Sequence, residues 1–129
     1  MKNGDVITLY ETLTKINENS DLKFNVRLGY IMARNREKLR QEAIIIYDQR
    51  RKIVMEYGTI NDNKDIIIPR DKIDEVNKNI NDLMEMDNNV QIDLVSPDDF
   101  DDNMMNLSDI EGLMPMFKDI IFTDPSIND

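Results

Sequence analysis

The sequence predicts a mainly α protein with a minor β component. Three observations carry that reading. Residues 23–57 contain no proline and one glycine, Gly29, and read as one helix of about 30 residues, well beyond the usual length. Two further segments repeat apolar residues at spacings of 3 and 4, the mark of a helix with one buried face. Short runs of alternating or β-branched residues, flanked by turn chemistry, supply the β component. The expected architecture is a long antiparallel helical hairpin with a β-hairpin tip. An N-terminal covering helix, a short strand and small C-terminal helices complete it.

The first helix is expected over residues 5–19, where Val6, Leu9, Leu13 and Ile16 form one face and Asp5 stands at the start. Residues 22–28 alternate Leu22, Phe24, Val26 and Leu28 with polar neighbours, so a strand and the first turns of the long helix both remain open; the helix is firm from Leu28. From there Met32, Asn35, Leu39, Ala43, Ile46, Arg50, Ile53 and Tyr57 trace a seam with spacing near 3.5, as for a helix packed lengthwise on another. Asn35 and Arg50 are its polar members, placed to set register or reach its edge. Residues 43–47 are apolar all round, which predicts enclosure on more than one side. Gly58 reads as a left-handed C-cap.

Asn61-Asp62-Asn63-Lys64 is turn chemistry between Ile60 and Ile66, Ile67 and Ile68, hence the hairpin tip. Asp71 is expected to cap the next helix, whose seam is Ile73, Val76, Ile80 and Leu83. This helix is half as long as the central one, so it pairs with residues 43–57 and leaves the other half to the first helix. Val90, Ile92 and Leu94 alternate with polar residues and read as a strand, best paired with residues 22–27. Ser96-Pro97-Asp98-Asp99 starts a short helix through Met105, and Ser108 with Glu111 starts another at capping-box spacing. Gly112 and Pro115 keep that one short. One domain over residues 1–122 is expected, with 123–129 a frayed tail.

Net charge is −10 over 129 residues, and it is unevenly spread. Residues 1–81 carry fifteen Lys/Arg against thirteen Asp/Glu, whereas residues 82–129 carry Lys118 alone against thirteen acids. The acidic third repels phosphates, so it is no nucleic-acid surface. It permits a basic partner, with Asp98, Asp99, Asp101 and Asp102 as the candidate acidic partner surface. Arg34, Arg36, Lys38, Arg40, Arg50, Arg51 and Lys52 form a candidate basic ridge on the central helix. Glu37, Glu42, Asp48 and Glu56 are interleaved with it, which favours charge pairing within the chain over nucleic acid.

There is no cysteine and no histidine. Zinc sites of the usual kind and Ser-His or thiol nucleophiles are therefore excluded, and four scattered glycines build neither phosphate-loop motif. Asn61 to Asp65 has alternate oxygen ligands, but it lacks the sixth-position glycine and the twelfth-position acid of a calcium loop. No catalytic residue, cofactor or metal is expected. The start lacks a signal peptide's apolar core, and no apolar run approaches a membrane span.

The segments YIMARNREKLRQEA and YDQRRKIVMEYG, followed by a polar tip, a helix, VQIDLV and LSDIEGLMPMF, resemble an uncharacterised family of small proteins. Its members are encoded by phages and prophages of low-GC Gram-positive bacteria. The likeness spans residues 9–117, and its motifs include residues 33–42 and Tyr57-Gly58. It implies a viral setting, in the cytoplasm of an infected host or on the virion, and supplies no site residues. The expected function is a non-enzymatic interaction protein, an assembly or accessory factor. Its partner is a phage or host protein or a second copy in a homodimer, docked through seam left uncovered on the central helix. An acidic inhibitor of a host nucleic-acid-binding or defence enzyme is the alternative, and nucleic-acid binding along the basic ridge is a weaker one.

Overall fold

A computed structural model describes residues 1–100 and 105–118. The elements in order are α1 (Asn3–Glu18), α2 (Val26–Tyr57), β1 (Thr59–Ile60), β2 (Ile66–Ile67), α3 (Ile73–Glu85) and α4 (Leu107–Leu113). Short 3-10 turns occupy Arg70–Lys72, Pro97–Phe100 and Met114–Met116. The fold is mainly helical with one two-stranded antiparallel ribbon, as the sequence implies.

At 1.5 Å per residue, the 32 residues of α2 span about 48 Å. The 16 residues of α1 span about 24 Å and the 13 of α3 about 20 Å. Laid end to end they nearly match α2, and that is how they lie. Tyr57 Oη donates to Glu75 Oε1 at 3.1 Å and accepts from Asn79 Nδ2 at 3.2 Å, fixing α3 against the far end. Tyr47 Oη donates to Glu11 Oε1 at 2.7 Å, fixing α1 against the near half.

Where the two covering helices meet, the N-terminus of α1 caps the C-terminus of α3. Asn3 donates its backbone N–H to Met86 O at 2.9 Å and its side-chain amide to Leu83 O at 2.9 Å. Leu83 O also accepts the Met86 N–H at 3.3 Å, so the Asn3 amide adds a second hydrogen bond at this helix end. Asn88 closes the joint by donating to Asn3 Oδ1, and Lys2 pairs with Glu85 across it.

The hydrophobic core lies in the near half, the body. Leu9, Leu13 and Ile16 of α1 pack with Leu28, Met32, Leu39, Ala43 and Ile46 of α2, closed by Val95, Phe100, Leu113 and Met116. Full burial of each of these side chains other than Ala43 stabilises by about 1.5–3 kcal/mol. Phe100 joins the layers, with edge-to-face contacts at 5.8 Å to both Phe24 and Phe117.

Several local expectations change. Residues 22–25 are neither strand nor helix; α2 starts at Val26, with Asn25 Oδ1 accepting from Leu28 N–H. Residues 90–94 form no strand and do not pair with residues 22–27. They carry no regular secondary structure and are tied to α2 by Asn35, and Val95 makes a single parallel bridge to Phe117. Gly58 has φ −109°, so it is no left-handed cap. It is there for space: a Cβ would stand 2.8 Å from Ile66 Cγ2 and 3.0 Å from the Val54 carbonyl. Asp71 lies inside a 3-10 turn ahead of α3, and α4 is capped by Asn106, not Ser108, with its Oδ1 accepting from Asp109 N–H at 2.8 Å. Ser96-Pro97 starts a 3-10 turn. Residues 101–104 and the expected tail at 123–129 lie outside the described residues.

Candidate protein-interaction site

Among the described residues, the part beyond Tyr47 consists of two helices, a ribbon and a short 3-10 turn. Val76 is the one buried hydrophobic side chain in this distal arm among the described residues. Its expected seam separates into three grades. Leu39, Ala43 and Ile46 are buried in the body. Ile53, Tyr57, Ile80 and Leu83 are half-buried along the α2–α3 contact. Ile73 is 42% exposed at the far end. Among the described residues, no third layer closes over the two helices of the arm.

The tip is the most open part. Both ribbon strands are exposed throughout, and Ile60, Ile66 and Ile67 are 55%, 41% and 52% exposed. An isolated two-stranded hairpin is marginal in water, and this one presents β-branched side chains and free edges together. Its turn is nonetheless well built. Asn61 Oδ1 accepts from Asn63 N–H at 3.0 Å and Asp65 N–H at 2.9 Å, and Lys64 takes a left-handed conformation, φ 64°. That oxygen is engaged with the backbone, which removes the first ligand a calcium loop would need. Ile44 and Ile45 in the middle of α2 are 52% and 57% exposed, so the all-round enclosure expected at residues 43–47 is not formed there.

The candidate basic ridge is not one surface. Arg34, Arg36, Lys38 and Arg40 are two residues apart, so successive members turn by about 200° and face opposite sides. Arg34 stacks over Tyr30 and approaches Asp93 at 3.8 Å, whereas Arg36 Nε donates to Thr14 of α1 at 3.2 Å. Arg40 pairs with Glu37, whose carboxyl is held below its ordinary range by that hydrogen bond, and Lys52 pairs with Asp48. Lys38, Arg50 and Arg51 take no ion-pair partner among the described residues.

The candidate acidic surface is partly structural. Asp99 pairs with Arg27 at 3.2 Å and accepts the Ser96 N–H, closing the 3-10 turn, while Asp98 is exposed. Asp101 and Asp102 lie outside the described residues. Sequence reasoning missed Asp109, a buried carboxylate bonded to Lys15 at 2.9 Å, and the joint at Asn3 and Asn88. Asp109 looked like one acid among thirteen; only its position on α4 against α1 distinguishes it.

Among the described residues no group of three or more Asp or Glu is placed to hold a metal ion, and no helix is long and apolar enough to cross a membrane. Comparison with protein-family models, curated proteins and solved structures gives no match.

Proposed function

We propose that this is a non-enzymatic protein-interaction protein whose docking element is the distal arm. The observation that carries the reading is the contrast between its halves. Among the described residues, the body closes a full core, whereas the arm buries Val76 as its one hydrophobic side chain and presents Ile60, Ile66, Ile67 and Ile73 at its end. Ile60 and Ile66 are directly paired across the ribbon and share one exposed face, with Ile67 on the other, and exposed apolar surface of this kind marks interaction sites. The absence of Cys and His from the sequence removes the commonest catalytic machinery and supports the same reading. On the resemblance of its segments to small phage proteins, the partner we propose is a phage or host protein, met in an infected cell or on the virion. A second copy of the chain is the simplest partner, since a matching arm would supply the missing layer.

Site-specific photo-crosslinking tests this. A crosslinker at Ile60 or Ile67 should give a discrete product in infected cells, or a dimer of the purified chain, and one at Lys15 should not. Serine at Ile60, Ile66 and Ile67 should remove the product and leave the melting temperature of the body unchanged. Equal products from the tip and from Lys15 would sink the proposal.

A further inference from the structure

We propose that a cleft at the base of the body binds a compact apolar carboxylate of about the size of benzoate. The cleft lies between the last turns of α1, the connection to α2 and the first turns of α2, and has a volume of about 180 Å³. An apolar cavity of about 150 Å³ holds a benzene ring, so a single ring or a branched aliphatic group fits.

The floor is made by small residues. Gly29 and Ala33 are one turn apart on α2 and both line the cleft. A Cβ at Gly29 would meet no atom within 4 Å. Glycine weakens a helix relative to alanine, and here no close neighbour requires it; what its missing side chain leaves is open volume. Leu13, Ile16 and Phe24 form apolar walls opposite.

The polar chemistry is one-sided. Arg36 is the sole charged residue lining the cleft, in a chain of net charge −10. Its Nε is fixed on Thr14 Oγ1, and its terminal nitrogens take no partner among the described residues. Asn19 at the rim accepts the Asp21 N–H through Oδ1 at 3.0 Å, which leaves its amide N–H groups as donors. An apolar pocket that offers a guanidinium and amide donors but no carboxylate selects an anion, and a planar carboxylate matches the guanidinium fork.

The test is an NMR titration of the full chain at neutral pH with benzoate and with benzamide, its neutral counterpart. Benzoate should shift the Gly29 and Ala33 amide resonances saturably, with Kd of order 1 mM or tighter, and benzamide should bind at least about tenfold more weakly. Arg36→Gln should erase that preference. Gly29→Met, pointing into open space, should fill the cleft and abolish both; Ala33→Met serves the same purpose if the first variant folds poorly. The proposal is overturned if those resonances do not saturate, if wild type binds both compounds equally, or if the folded methionine variants still bind benzoate.

Discussion

Asn35 is the side chain on which the seating of residues 90–94 depends. It is fully buried on α2, and its amide reads the backbone of that segment as a neighbouring strand would. Asp93 N–H donates to Oδ1 at 2.8 Å, and Nδ2 donates to Asp93 O at 2.8 Å. Asn35→Ala deletes two hydrogen bonds worth about 0.5–1.5 kcal/mol each, and leaves two backbone groups short of partners at about 1–3 kcal/mol each if water does not reach them. Asp93 is half-buried, so partial rehydration is expected and the loss should be about 3 kcal/mol. With an unfolding entropy near 2.1 cal/mol/K per residue, that lowers the melting temperature by about 10 °C. Asn35→Leu restores volume but no hydrogen bond, so it should recover only part of the loss. Asn35→Asp keeps the acceptor but turns a carboxylate towards the Asp93 carbonyl, and should be worse than leucine. Urea unfolding supplies the energies, and hydrogen exchange at the Asp93 amide supplies the location. An Asn35→Ala protein within about 0.5 kcal/mol of wild type, with that amide still protected, would refute the reasoning.

Four further outcomes are expected. Gly112→Ala should destabilise by about 1–3 kcal/mol in urea unfolding, because its Cβ would stand 2.1 Å from Thr12 Oγ1 and about 3.0 Å from Thr12 Cβ, so α4 must lift from α1. Lys64→Gly should stabilise the hairpin turn by up to about 1 kcal/mol, read as a raised melting temperature, since it relieves the left-handed strain at φ 64°. Burial, and then its hydrogen bond to Glu11, push the Tyr47 hydroxyl up to about 12; Glu75 raises Tyr57 in the same direction. For Tyr47 the folded protein favours the protonated hydroxyl, so its stabilisation is present below the ordinary tyrosine pKa near 10 and is lost as pH rises towards about 12; absorbance titration of wild type against Tyr47→Phe assigns the late step. Val76→Ala should speed hydrogen exchange in α3 and the end of α2 while leaving the core of the body protected, whereas Leu39→Ala, costing about 2–5 kcal/mol, should speed both.

Much of the architecture is legible because it follows from period and length. The seam from Met32 to Tyr57 and its match at Ile73, Val76, Ile80 and Leu83 fix the hairpin, and half-length covering helices follow from counting residues. Three of the differences share one cause: a local pattern satisfied by an unexpected partner. Residues 90–94 alternate as a strand does, but their backbone is met by a side chain, Asn35, which the seam placed as a polar register residue without saying what it would hold. Gly58 was read from backbone freedom, yet it answers to the approach of Ile66. Ser108 has the capping-box spacing, but Asn106, two residues earlier, takes the role. The basic ridge failed for a reason the sequence does contain, since residues two apart cannot share a helix face. Asp109 and the Asn3–Asn88 joint depend on separations of more than eighty residues, and no local signal reports them.

The long helix first suggests a scaffold with surplus length, but α1 and α3 account for nearly all of it. What the distal arm lacks is depth. The segments after α3 could have run back over the arm, yet Asn88, Asp93 and Val95 are each tied to the body. The ties are polar and specific, through Asn3, Asn35 and the bridge to Phe117, so the return path is built in and not left over from packing. Among the described residues, this path directs every later element to one half of α2 and leaves the other half without a third layer. The exposed isoleucines at 60, 66, 67 and 73 then lie on the half that this topology leaves open. The same joint that caps α3 also limits what the chain can cover by itself. On this argument, loosening Asn3 or Asn88 should free the return segment and alter the arm's exposure, whereas mutating the tip should leave the body's core untouched.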